Sequence, residues 1–254
     1  MLTKYFVMGG KGLLGSSVIR LLKKKKETYK IITKKNYNIY KNKKCSVIIN
    51  MNGNSSKYIA NTFPKYDFYK SVMTVLNSIF DFKYNKYIYI SSGDVYEKLN
   101  KTSESLKINC PRNFYGKNKF LSELIVKFYC KNWLILRPGS IIGINAKKGL
   151  IFDLIKNKKV YSNINSSYSY LSSDTFAKIL LRISKKNNQI YNISGNGTIN
   201  NKKLRKLIQS KSHFDNLKKI ESYVLKNNKI EKILKKKLPK TINEINKMLQ
   251  IKKI

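Results

Sequence analysis

A chain of 254 residues with 42% hydrophobic content is long enough for one large α/β domain, or for a domain with a small appended lobe, and it can bury a real core. Its three cysteines, Cys45, Cys110 and Cys130, lack metal-ligand spacing, and the one histidine, His213, cannot complete a zinc site with them, so no metal centre is expected. The formal charge of +40 is almost wholly lysine, with five arginines scattered along the chain; this pattern reads as compositional drift and argues against a nucleic-acid partner, which would gather charge and use arginine forks.

The opening MLTKYFVMGGKGLLGSS has glycines where a cleavable leader would be continuously apolar, and reads as a strand and a turn. No run of ~18 apolar residues occurs, so no membrane span is expected, and the unpatterned cysteines suit a reducing cytoplasm. Lys4–Met8 is the first expected strand, ending at glycines, and Leu13–Leu22 follows with helical spacing. Tyr29–Thr33 and Ser46–Asn50 are the second and third strands. A helix spans Tyr66–Phe82, and Tyr87–Ser91 is a fourth strand, apolar enough to be covered on both faces. Residues 97–113 are polar and irregular. Tyr115–Cys130 is helical, and Trp133–Leu136 is a fifth strand closed by Arg137-Pro138-Gly139. Beyond residue 143 come a helix at Ile151–Lys156, a Ser/Asn/Tyr-rich stretch at Tyr161–Tyr170, a helix from about Ser173, a sixth strand at Ile190–Ile193 and a lysine-rich, mostly helical remainder. Strands alternating with helices predict an α/β fold with a parallel, doubly wound sheet and right-handed crossovers.

The first turn reads Gly9-Gly10-Lys11-Gly12-Leu13-Leu14-Gly15. Gly10-x-Gly12-x-x-Gly15 between a strand and a helix is a dinucleotide fingerprint: early glycines let backbone N–H groups approach a pyrophosphate, and the last lets helix and strand pack closely. The helix N-terminus adds partial positive charge. The second strand runs into Thr33-Lys34-Lys35-Asn36 with no acid to grip the ribose hydroxyls of NAD. Lys34 or Lys35 can meet a 2′-phosphate instead, so NADP is favoured over NAD. Gly9, Gly10, Gly12, Leu13, Leu14, Gly15, Thr33 and Lys34 are the expected cofactor contacts, with Tyr115 and Lys119 at the reacting end.

Tyr115 and Lys119 stand at i,i+4 on one helix face. The same spacing recurs at Tyr37/Lys41, Tyr40/Lys44 and Tyr66/Lys70, so the spacing alone selects nothing. Position does: Pro111 and Gly116 bracket Tyr115 at a helix start, and the preceding strand ends in Ser91-Ser92, where ligands bind in doubly wound sheets. The Lys119 ammonium is expected to lower the Tyr115 phenol from its ordinary ~10, making it a proton donor or acceptor, with Ser92 bonded to the reacting oxygen. Ser92, Tyr115 and Lys119 are the expected catalytic set.

These motifs, with Ser91–Tyr96, Pro111–Lys119, Glu123 and Leu136–Gly143, resemble the extended short-chain dehydrogenases, the NAD-dependent epimerase/dehydratase family. Weaker similarities continue at Ser173-Asp174, Tyr191–Gly195 and Leu238–Ile242. The resemblance implies a Rossmann-type doubly wound sheet with a small C-terminal substrate lobe. It assigns residues 1–143, with 174–195 returning, to an NAD(P)-binding domain, and 144–173 and 196–254 to a reduced substrate-binding lobe. It implies hydride transfer on a small molecule, often a nucleotide sugar, by an epimerase or ketoreductase that can form a homodimer. Dehydratases of that family carry Asp-Glu where this chain has Gly93-Asp94, and fucose-synthase-like reductases carry Cys at the position of Gly93; both subtypes are disfavoured. An arginine that helps hold the sugar nucleotide in many members is missing from Ser166–Leu171. The competing expectation is a non-catalytic Rossmann protein that binds RNA or serves as a cofactor scaffold, for which an intact Ser–Tyr–Lys set has no use.

Overall fold

The computed structural model describes residues 3–98, 100, 102–215 and 219–252. Tyr5–Met8 (β1) is buried throughout, as an apolar strand covered on both faces must be. A glycine turn leads into Leu13–Lys24 (α1), whose Val18 and Leu22 are fully buried at one helical turn's spacing. Tyr29–Ile32 (β2), the short Tyr37–Tyr40 (α2) and Lys44–Asn50 (β3) follow. Next come Lys57–Thr62 (α3), Pro64–Phe68 (α4), a π-helical turn at Tyr69–Met73 and Thr74–Asp81 (α5). The sequence led to a single helix over Tyr66–Phe82. A 3.6-residue period cannot reveal a π turn, which inserts one residue into the winding. Lys83–Ile90 (β4) begins four residues before the expected Tyr87, because Lys83 and Tyr84 already pair with Lys44 and Cys45.

Gly93–Val95 forms a 3₁₀ turn, Phe114–Tyr129 is α6 and Trp133–Pro138 is β5. The later elements are Ser140–Ile142 (β6), Leu150–Ile155 (α7), Ser167–Tyr168 (β7), Tyr170–Ser172 (β8), Ser173–Ile183 (α8), Gln189–Ile193 (β9), Ile199–Asn200 (β10), Asn201–Ile208 (α9), Ser222–Tyr223 (β11), Asn228–Leu234 (α10) and Thr241–Lys252 (α11).

Six strands form one sheet in the order β2-β1-β3-β4-β5-β9, and the pairs β1–β2, β1–β3, β3–β4 and β4–β5 are parallel. From β1 the chain goes to β2 on one side and then to β3 on the other. This is the topological switch point at which open parallel sheets bind ligands, beyond their strand C-termini. Phe6, Ile48, Tyr87, Tyr89, Val126 and Ile135 pack in the adjoining core, where burying a Val, Ile or Phe side chain contributes roughly 1.5–3 kcal/mol.

The chain divides into two compact units. The first comprises Met1–Lys98, Ser105–Pro138 and Phe176–Tyr191; the second comprises Leu99–Glu104, Gly139–Thr175 and Asn192–Ile254. The second unit was expected to be mostly helical after residue 196. It carries a three-stranded sheet in the order β10-β7-β11 and a β6–β8 pair as well. Its own core joins Ile142, Leu154, Leu204 and Ile245. Glu244 of α11 accepts the Ser172 N–H at 2.7 Å and the Thr175 hydroxyl at 3.2 Å.

Candidate active site

β4 delivers Ser91 and Ser92 at the switch-point end of the sheet. Ser92 caps the 3₁₀ turn: its Oγ accepts the Asp94 N–H at 3.1 Å and donates to Asp94 Oδ2 at 3.2 Å. Asp94 is buried and paired with Lys57 Nζ at 2.7 Å. α6 starts where Asn113 Oδ1 accepts the Gly116 N–H at 2.8 Å, an N-cap that fixes the helix one residue before Tyr115. Gly116 is required there, because a Cβ would collide with the Asp94 carbonyl. The first turn of α6 is thus pressed onto the Ser92–Asp94 turn, which brings the Ser92 hydroxyl to bear on the Tyr115 phenol.

One turn further on, buried Lys119 donates from Nζ to the Ile90 carbonyl at 3.2 Å, and its ammonium lies 5.9 Å from the Tyr115 ring centroid and 5.1 Å from that of Tyr89. Behind it, Glu123 grips Arg137 in a buried bidentate pair at 2.9 and 2.6 Å, and Arg137 donates to the Tyr96 hydroxyl at 2.7 Å. Ser92, Tyr115 and Lys119 therefore gather as the sequence led one to expect. Tyr66, the tyrosine of a rival Tyr/Lys pair, is 53% exposed on α4.

The electrostatics differ from expectation. Tyr115 as a residue is half-buried, but burial around its phenol pushes the pKa up rather than down, the Asp94 and Asp67 carboxylates add to the rise, and the nearby Ser92 hydroxyl only partly opposes it. Lys119 is pushed down to about 8 by burial, with Asp67 and Glu123 opposing. The resting phenol is held protonated because desolvation and two carboxylates outweigh one distant ammonium.

Asp67 is the group that sequence reasoning missed. It is fully buried on α4, and its Oδ2 accepts the Asn118 side-chain amide of α6 at 2.7 Å. From sequence, PKYDFYK looks like the polar face of an amphipathic helix; only the packing of α4 on α6 turns that face inward.

The glycine turn fits a dinucleotide. Gly9 has φ +75°, and a Cβ there would meet the Met51 carbonyl at 2.7 Å, while a Cβ on Gly15 would collide with the Gly9 carbonyl. α1 has no side-chain cap, so main-chain N–H groups at its start remain available for an anion. Leu13 and Leu14 are half-buried in that first turn. Thr33 is tied to Asn36 Oδ1 through both its N–H, at 2.7 Å, and its hydroxyl, at 3.1 Å. Lys34 is exposed beside Lys70, whose like charge lowers its pKa. Among the described residues no group of three His, Cys, Asp or Glu could hold a metal ion.

Sheet order, glycine cradle and strand-end cluster define the class as NAD(P)-dependent enzymes with a Rossmann-type fold. The profile of the NAD dependent epimerase/dehydratase family matches residues 5–194, and the chain belongs to that family. No curated protein matches it. Among solved structures it is similar to MoeE5 in complex with UDP-glucose and NAD, at 12% identity over 97% of both chains with a TM-score of 0.86. It is also similar to a dTDP-4-dehydrorhamnose reductase from Clostridium acetobutylicum, at 14% identity over 99% of this chain and 100% of that one, TM-score 0.81. A third is the UDP-glucuronic acid 4-epimerase of Bacillus cereus, at 16% identity over 98% and 100%, TM-score 0.80. At these identities the likeness concerns the fold.

Proposed function

We propose that the protein interconverts a secondary alcohol and a ketone on a nucleotide-activated sugar, as a ketoreductase or epimerase, with Ser92, Tyr115 and Lys119 as its catalytic residues. The observation that carries this reading is the packing of the Tyr115 turn of α6 onto the Ser92–Asp94 turn at the end of β4, with buried Lys119 one helical turn on. The sugar-nucleotide class is supported by the complexes of MoeE5 and of the 4-epimerase, both of which hold such molecules. The second unit is the proposed holder of the substrate.

The residues divide the work by chemistry. Gly9, Gly10, Gly12, Leu13, Leu14 and Gly15 would line the pyrophosphate, with Thr33 and Lys34 toward the adenosine end. When bound, the dinucleotide supplies the ring carbon that exchanges hydride. Ser92 Oγ orients the substrate oxygen. Tyr115 Oη, protonated at rest, donates its proton to that oxygen, and Lys119 Nζ returns a proton to the phenolate. A protonated resting phenol favours carbonyl reduction as the first proton step; an epimerase would run the same step both ways. Lys34, backed by Lys70, favours the 2′-phosphate of NADP.

Fluorescence titration with NADPH and NADH tests the cradle: saturable binding of at least one is expected, and Lys34→Asp should move preference toward NAD. Absence of binding by either removes the proposal. A strong wild-type preference for NAD would leave the cradle intact but refute the role given to Lys34.

A further inference from the structure

We propose that Asp67 is a positioning residue of this site: fastened to the Asn118 amide, its carboxylate supplies the counter-charge for the Lys119 ammonium and fixes the turn of α6 that carries Tyr115 and Lys119. This deepens, and rests on, the reading of Tyr115 and Lys119 as a proton-handling pair.

A buried ammonium needs a negative partner or strong acceptors, because desolvation otherwise disfavours its charged form. Lys119 has one described hydrogen bond, to the neutral Ile90 carbonyl, and the rings of Tyr89 and Tyr115 lie near it. Three carboxylates surround the cluster. Asp94, on the 3₁₀ turn, is engaged by Lys57 of α3. Glu123, on α6 itself, is engaged at both oxygens by Arg137 of β5. Asp67, on α4, receives only neutral donors: the Asn118 amide at 2.7 Å and the Ser71 hydroxyl at 3.2 Å. No described basic side chain comes within ion-pair distance of it. It is the carboxylate of the three without a described cation of its own, and it lies one residue's hydrogen bond, through Asn118, from Lys119, whose pKa it works with Glu123 to hold up.

The same residues make a mechanical link. Asn118 lies three residues after Tyr115 and immediately before Lys119. Ser71, in the π turn, offers its backbone carbonyl to Ser122 Oγ at 3.1 Å, and that hydroxyl also lies 2.8 Å from the Asn118 carbonyl. The inserted residue of a π turn re-aims the helix face around it. Here Asp67 and Ser71 both face α6, and two bonded pairs lace the elements together.

The test is a titration of lysine side chains in the intact protein by NMR, using ¹³Cε-labelled lysine. Most lysines titrate near ~10.4. Lys119 and Lys86 are both pushed to about 8 by burial, and Lys86 is bonded to the Lys186 carbonyl and Asn187, not to Asp67. Their signals are assigned with Lys119→Arg and Lys86→Arg. Asp67→Asn should lower the Lys119 midpoint by about one pH unit or more, leaving Lys86 where it was. Ser71→Ala, which keeps the charge, should leave both in place. An unmoved Lys119 midpoint in folded Asp67→Asn overturns the proposal. Should that variant fail to fold, Asn118→Ala unfastens the carboxylate and should likewise lower the Lys119 midpoint while leaving Lys86 in place; a rise or no change overturns the proposal equally. Turnover is a separate readout: if Tyr115→Phe stays active, the proton-handling role fails whatever the Lys119 midpoint does.

Discussion

Four tyrosines in this chain are followed by lysine at the fourth residue, and Tyr115 alone among them meets a strand-end serine. Tyr115→Phe keeps the ring and removes one hydroxyl, so it should spare cofactor affinity and cut turnover about 10²–10⁴-fold. Tyr66→Phe, on an exposed turn of α4, should leave turnover near wild type; equal losses in steady-state kinetics would show that the wrong tyrosine had been chosen. Glu123 has a different task. Its removal leaves the Arg137 guanidinium buried without its partner, and Glu123→Gln should destabilise the fold by about 3–5 kcal/mol in urea unfolding. Ser92, Tyr115 and Lys119 were legible in the sequence because each sits at a recognisable boundary, a strand end or a helix start. Asp67 was not. A lone acid between aromatics matches a solvated helix face, and nothing local to it reports that α6 will cover it. The sign of the Tyr115 shift was also out of reach, since burial and Asp67 enter only through tertiary packing.

The central elements follow from runs of apolar residues separated by glycine, so β1, β3, β4, β5 and α1 were foreseeable to within a few residues. The π turn and the short strands of the second unit were not: the first adds a residue without altering composition, and two-residue strands carry no periodicity. The contact between α6 and the Ser92–Asp94 turn makes a test at this scale. Gly116→Ala must push the helix off the Asp94 carbonyl, moving Tyr115 with it. A displacement of about 1 Å can cost about 10²-fold in rate, so turnover should fall by that order while cofactor binding persists. Asn113→Ala removes the cap of the same helix and should cost about 1 kcal/mol of stability, with a much smaller effect on rate. Loss of stability without loss of rate in Gly116→Ala would contradict the idea that this contact sets the geometry.

At the scale of the molecule, buried titrating groups dictate how stability responds to alkali. Lys86 and Lys119 have folded values near 8 against ~10.4 unfolded; between these the unfolded chain binds more protons, so these lysines make stability rise with pH. Cys45 and Cys130 are pushed up to about 12 and about 11, above the ordinary ~8.5, so the folded state holds their protons longer and they lower stability over much of the same window. The opposing pairs should leave the profile nearly level from pH 8.5 to 10. Above ~10 the unfolded chain releases phenolic protons that Tyr87, Tyr89, Tyr115 and Tyr170 retain when folded, all four being pushed up by burial. Stability should then fall with pH, by up to ~1.4 kcal/mol per unit for each phenol. Urea midpoints at pH 8.5, 10 and 11 check this; a rise between 10 and 11 would refute it. The charge of +40 also predicts that moderate salt raises the melting temperature, by screening self-repulsion.

The order of the sheet gives that charge a colloidal meaning. β2 is a terminal strand, and its outer row of amides and carbonyls has no strand partner among the described residues. Such a row invites a second molecule to anneal along it and begin a fibril. Lys30 projects exposed from the strand itself, with Lys23 to Lys26 before it and Lys34 and Lys35 just after, all exposed. Two such rims repel each other before their backbones can meet. Lysine along this rim is therefore expected to oppose self-assembly, and a polyanion that neutralises the rim, such as polyphosphate, should make the protein cluster in light scattering while small salts at equal charge do not.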